Sequence, residues 1–156
     1  MYLPAETFRT VVAATPLVSL DLVFQSASGA ILLGERLNRP ARGYWFVPGG
    51  RIRKSEHLDD AFRRLTHDEL SQVFERVDAQ LLGVYEHFYF DSVFGAPPAY
   101  PDTHCIVLAY RLGLRSGQAL TPPIDQHARY GWWSLELANA SAEVPENTRA
   151  YLSALA

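Results

Sequence analysis

The sequence predicts an α+β fold in one domain spanning residues 1–156. Size and composition come first: 156 residues, 48% hydrophobic and only 20% charged, can bury one real core. Element order comes second. A short helix, strands, a helix, strands and helices follow one another without the regular strand–helix alternation of a doubly wound parallel sheet. Third, no internal repeat, low-complexity tract or linker divides the chain.

After the N-terminal segment, "LVSLDLVF" and "AILLGERL" read as paired strands joined by the turn residues of "QSASG", with Asp21 set between Leu20 and Leu22. "YWFV" is a short strand stopped by Pro48. Ser55 is a suitable N-cap for a helix of about 56–70, whose Leu58, Ala61, Phe62 and Leu65 keep helical apolar spacing. "QLLGVYEHFYF" and "THCIVLAYRLGL" are two longer strands flanking the Pro-rich loop "GAPPAYPD", which reads as one hairpin connection. "YGWWSLELAN" predicts a last strand running into a short helix, and "PENTRAYLSALA" a C-terminal helix with Pro145 near its start.

Composition excludes several function classes. A net charge of −3 argues against a duplex nucleic-acid binder, so any anionic ligand must be met by local cations. No stretch approaches the roughly 20 apolar residues of a membrane span, and the N-terminus lacks a signal-peptide pattern; a soluble cytoplasmic protein is expected. The single cysteine, Cys105, rules out internal disulfides and multi-cysteine zinc sites and reads as a small buried hydrophobe.

The stretch "GYWFVPGGRIRKSE" and the helix after it carry the chemistry. At 100° per residue, Glu69 falls on the angular centre of the Leu58, Phe62 and Leu65 stripe. Either this carboxylate meets a cation or a donor in a cleft, or the helix frays there and Glu69 turns to water. Gly49 and Gly50 let backbone groups approach a ligand without a Cβ in the way, and Arg51, Arg53 and Lys54 supply positive charge suited to phosphate. A magnesium ion bridging phosphates takes hard oxygens, for which the Gly49 carbonyl and Glu69 are candidates. Arg64 and Asp68, four apart, read by default as a surface ion pair. His57 and His67 read as solvated; His104 is either structural or cleft-lining. Trp45, Trp132 and Trp133 read as core or sheet aromatics, and packing is the first reading for Tyr44 and Phe46.

These residues resemble a Nudix box. Gly50, Glu56, Arg64 and Glu69 keep the pattern's spacing, while Leu65 and Asp68 replace glutamates and Ser71 replaces the closing glycine. The degenerate box, with "TPLVSLD", "LLGERLNRPARGYWFVPGGR", "RRLTHDEL" and "DQHARYGWW", resembles the GDP-mannose mannosyl hydrolase branch of the family along nearly the whole chain. That resemblance implies a mixed β-sheet sandwiched between helices and a homodimer. It implies hydrolysis of GDP-mannose, or GDP-glucose, to GDP and free sugar by water attack at the anomeric carbon with inversion.

By the same resemblance Gly49, Glu69 and Gln126 correspond to ligands of Mg2+, or of Mn2+ in its place. His127 corresponds to the general base, and Arg36 to an arginine that stabilises the departing GDP. Arg51 and Arg64 match supporting arginines, and Asp21 and His87 match positions near the sugar. Cys105 stands where the family has a tyrosine, whose hydroxyl Tyr100 could replace. The chemistry is coherent, because a departing diphosphate is already near its final charge and needs fewer carboxylates, and a neutral histidine suits base catalysis near neutral pH. Two other readings stand beside it: an ordinary Nudix pyrophosphohydrolase attacking phosphorus, and an inactive nucleotide-sugar sensor in which the box has decayed.

Overall fold

The computed structural model describes residues 2–115, 118, 120 and 127–155, and for His127 and Ala128 the backbone only. Its seven strands are β1 (Leu17–Gln25), β2 (Ile31–Arg36), β3 (Trp45–Phe46), β4 (Gly49–Arg51), β5 (Gln80–Tyr89), β6 (Thr103–Gly113) and β7 (His127–Trp133). The helices are α1 (Ala5–Ala14), α2 (Leu58–Leu70), α3 (Leu135–Ala140) and α4 (Glu146–Leu152). The sheet runs β3-β2-β1-β6-β5, with β4 added on β1 and β7 on β2. It is mixed: β1 pairs parallel with β6 and antiparallel with β2 and β4, and β5 and β6 form the hairpin around the Pro-rich loop.

Strand alternation in "LVSLDLVF" sorts the molecule into two layers. Leu20, Leu22 and Phe24 point to one face and pack with Phe62, Leu65 and Leu70 of α2. Val23 points to the other and packs with Ala138, Val144, Tyr151 and Leu152 of α3, α4 and their connection. Asp21 shares the parity of Val23, so a carboxylate is carried into the layer beneath α4.

The start of α2 differs from the expectation. Ser55 does not cap the helix; it sits at φ 64 in the loop, and the helix begins at Leu58 after His57. The Glu56 side chain turns back instead, accepting from the backbone N–H of Arg53 at 2.9 Å. Leu58 is consequently 36% exposed and leaves the apolar stripe, whereas Ala61, Phe62 and Leu65 keep it. The other end needs no correction, since Glu69 is 2% exposed within the helix and does not fray into water.

Candidate active site

Two clefts meet at β4. On the α2 side a groove is lined by Gly49, Arg51, Arg53, Arg64, Asp68 and Glu69 and closed by Tyr2 and Phe8 of the N-terminal segment. On the α4 side a pocket is lined by Asp21, Arg36, Gly49, Arg51, His87 and Cys105, among others. Gly49, Gly50 and Arg51 belong to both. Seven of the nine residues singled out from the sequence are thereby brought around three residues of backbone. Gln126 lies outside the described residues, as does the side chain of His127.

The glycine pair has a packing cause beside the close approach expected. Neither Gly49 nor Gly50 is left-handed; each is needed for packing. A Cβ on Gly49 would lie 2.4 Å from the Leu20 carbonyl oxygen and 2.7 Å from Asp21 Oδ1, and one on Gly50 2.6 Å from Leu65 Cδ2. The pair lets β4 press between β1 and α2. Orientation follows from register. Leu22 N–H donates to the Pro48 carbonyl and Ile52 N–H to that of Val18, so even-numbered residues turn their polar groups to β1. Gly49 and Arg51 turn theirs away, and the Arg51 carbonyl duly accepts from Arg64 Nη2 at 2.9 Å.

Arg64 is held chiefly by Glu56 rather than Asp68. Its Nε and Nη2 donate to the two Glu56 oxygens at 2.6 and 2.9 Å, while Asp68 Oδ2 stands 3.8 Å from Nη1. The paired guanidinium holds the Glu56 carboxyl down at about 2, burial opposing it. Arg51 stacks over Phe8 at 5.0 Å and Arg53 over Tyr2 at 4.3 Å. Burial and the neighbouring Arg53 and Arg64 lower the Arg51 pKa. Three guanidinium groups concentrated here make the groove a cationic site in an acidic chain.

The hard-oxygen donors fit a divalent metal. The Gly49 carbonyl faces away from β1 into the groove that Glu69 and Asp68 also line, matching the one or two carboxylates plus carbonyl and waters that magnesium takes. Among the described residues no cluster of three or more His, Cys, Asp or Glu side chains could hold a metal.

In the pocket, Arg36 Nε is buried with no hydrogen-bond partner among the described residues. Asp21 Oδ2 accepts from the Tyr151 hydroxyl at 2.5 Å, that hydroxyl stands 3.2 Å from His87 Nε2, and Tyr89 Oη stands 3.4 Å from His87 Nδ1. Burial pushes Asp21 up to about 6 against the opposing Tyr151 hydrogen bond and the Arg36 charge, and lowers His87 to about 4. Cys105 does line the pocket, its thiol pKa raised mainly by burial. The Tyr100 ring lies against Gly95 in the loop, and Tyr89 brings a phenol to the pocket lining. Alternation along β6 settles His104: Thr103, Cys105 and Val107 face the pocket, and His104 stacks on Phe88 at 4.3 Å. Trp45 is core, but Trp132 is 43% exposed. Phe46 is buried and Tyr44 half-exposed, both bordering a cavity of about 610 Å³ that adjoins the pocket through Phe46 and Tyr89.

Arg36 is the register partner of His127 across β2 and β7, so the backbones of the two residues lie side by side. A family model described as "NUDIX domain" matches residues 15–154. The chain belongs to the Nudix family. Nudix hydrolases generally use a divalent metal such as Mg2+, in keeping with the donors around Gly49 and Glu69. The "Low-salt glycan biosynthesis protein Agl8" of Haloferax volcanii is 47% identical over 87 residues, covering 56% of this chain and 54% of that protein. The chain thus spans about half the length of this relative. A MutT NUDIX hydrolase from Burkholderia pseudomallei superposes with a TM-score of 0.70 at 27% identity, covering 91% of this chain and 99% of that one. A MutT protein from Methanosarcina mazei Go1 gives 0.69 at 18% identity over 91% and 94%, which shows the same Nudix fold. No helix among the described residues is long and apolar enough to cross a membrane.

Sequence reasoning missed Tyr151, Tyr89 and Asn147; burial raises the Tyr89 pKa and a hydrogen bond from the Asn147 side chain opposes it. One signal was available: Asn147 and Tyr151 are four apart in α4 and share a helix face.

Proposed function

We propose that this Nudix hydrolase cleaves GDP-mannose, with GDP-glucose as a second substrate, to GDP and free sugar by water attack at the anomeric carbon with inversion. The observation that carries the reading is Arg36. A buried guanidinium nitrogen without a partner among the described residues, in a pocket with a half-buried carboxylate and an imidazole, suits a sugar bonded to a departing anion. Attack at phosphorus alone gives that inner pocket no task. The relative named for glycan biosynthesis agrees with a nucleotide-sugar substrate.

In this reading the diphosphate lies along the cationic groove and the hexose enters the Asp21, Arg36 and His87 pocket. Arg36 and Arg51 stabilise charge on the departing GDP, and Arg64 holds the loop in shape through Glu56. His127 takes the proton from the attacking water. Gly49, Glu69 and Gln126 would hold Mg2+, or Mn2+, which when bound supplies charge neutralisation on the phosphates. The active unit is one domain over residues 1–156, cytoplasmic and homodimeric.

The experiment is product analysis with GDP-mannose and magnesium in 18O-water. GDP and mannose carrying the label support the reading. GMP and mannose 1-phosphate would mean attack at phosphorus, and binding without turnover would leave a sensor.

A further inference from the structure

We propose that Tyr151 is a positioning residue of the active site, its hydroxyl locking Asp21 and His87 into one orientation so that Asp21 Oδ1 is left to accept from a sugar hydroxyl. This inference rests on the sugar reading of the pocket.

Tyr151 is 1% exposed, and its ring packs edge-on against Tyr85 at 4.8 Å in the layer that contains Val23, Leu33 and Val144. Phenylalanine would fill such a core equally well. A hydroxyl placed there costs free energy unless it is bonded, and its partners are two side chains that line the pocket.

The arrangement has a direction. A phenol has one proton to give, and an ionised carboxylate only accepts, so Tyr151 donates to Asp21 Oδ2. The phenol oxygen can then only accept from His87, which requires the ring proton on Nε2. That leaves Nδ1 as the acceptor for the Tyr89 hydroxyl. The chain reads Tyr89 to His87 to Tyr151 to Asp21, and each proton in it is used once. His87 is held as one neutral tautomer, in line with its lowered pKa. Asp21 is held by one oxygen, its other lying on the Gly49 side. Asp21 reaches α4 across 130 residues of chain, which makes the C-terminal helix part of the site.

The test is Tyr151→Phe, which keeps the ring and removes the hydroxyl. With GDP-mannose, kcat/KM is expected to fall by ~10-fold or more while GDP affinity stays within about twofold. In an Asp21→Ala background the same change should cost less than about twofold, because the acceptor that Tyr151 orients is then gone. A purely structural role predicts an equal loss in both backgrounds, and that result would overturn the proposal. Long-range 1H–15N spectra of the His87 ring give a readout independent of turnover and of how the variant folds. The wild-type protein should show the Nε2–H tautomer, and an Nδ1–H tautomer would overturn the proposal. If the wild-type protein does not turn over GDP-mannose, the substrate reading fails and the ring spectrum alone decides the positioning role.

Discussion

Arg64 grips Glu56 through two nitrogens at 2.6 and 2.9 Å, and with its third contact, to the Arg51 carbonyl, it fastens the basic loop to α2. Both side chains are largely shielded, with 19% and 13% of their side-chain surface exposed. Removing one partner strands the other, so Glu56→Gln should lose on the order of 2 kcal/mol. The sign with pH follows from the depressed carboxyl. A group lowered from 4.5 to about 2 contributes stability above pH 4.5 and loses it as pH falls toward 2. Thermal unfolding of wild type and variant should therefore differ most above pH 5 and converge in acid.

Gly49→Ala and Gly50→Ala should separate by what the new methyl meets. At Gly49 it meets backbone, the Leu20 carbonyl oxygen at 2.4 Å, and β4 must move off β1 at a cost of ~2–3 kcal/mol. At Gly50 it meets the tip of a leucine side chain that can rotate, so ~1 kcal/mol is expected. Urea denaturation of both variants checks the order; equal losses would mean that the β1 contact does not govern the loop.

Some of this was legible in the sequence and some was not, for physical reasons. Strand alternation and helix periodicity are local, so the strand pair around Asp21 could be read directly, and Glu69 could be placed on the apolar stripe though not told from a frayed helix end, which its 2% exposure decides. The start of α2 could not, because a good local cap at Ser55 is overridden by Glu56 reaching eight residues ahead to Arg64. The glycine pair was noticed for a general reason, close approach, but the partners are Leu20 and Leu65. Tyr151 was invisible because a tyrosine in an amphipathic helix looks like core until the distant partners of its hydroxyl are known.

Glu69→Gln and Asp68→Ala should respond differently to magnesium. Glu69 is buried, whereas 42% of the Asp68 side-chain surface is exposed, with a 3.3 Å contact to His67. Added magnesium should raise the unfolding temperature of wild type and Asp68→Ala alike, since a ligand of the folded state stabilises it by mass action. Glu69→Gln should lose most of that rise. An unchanged rise in Glu69→Gln would remove Glu69 from the metal site.

Asp21 should trade stability for function. Its carboxyl is raised from 3.8 to about 6, so the folded protein favours the protonated form; this contribution is complete below pH 3.8 and lost as pH rises through 6. At pH 7.5 the folded state bears the cost of an ionised, half-buried and desolvated carboxylate. Asp21→Asn removes that charge while still accepting from Tyr151, so without added metal it should unfold at a higher temperature than wild type. The gap should close as pH falls below about 6, because wild-type Asp21 then becomes neutral as well. Turnover of GDP-mannose should fall at least ~100-fold in the same variant, since a neutral amide is a poorer acceptor for a sugar hydroxyl beside Arg36. A variant both less stable at pH 7.5 and fully active would mean that Asp21 is a structural carboxylate, needed by Tyr151 and unused by the substrate.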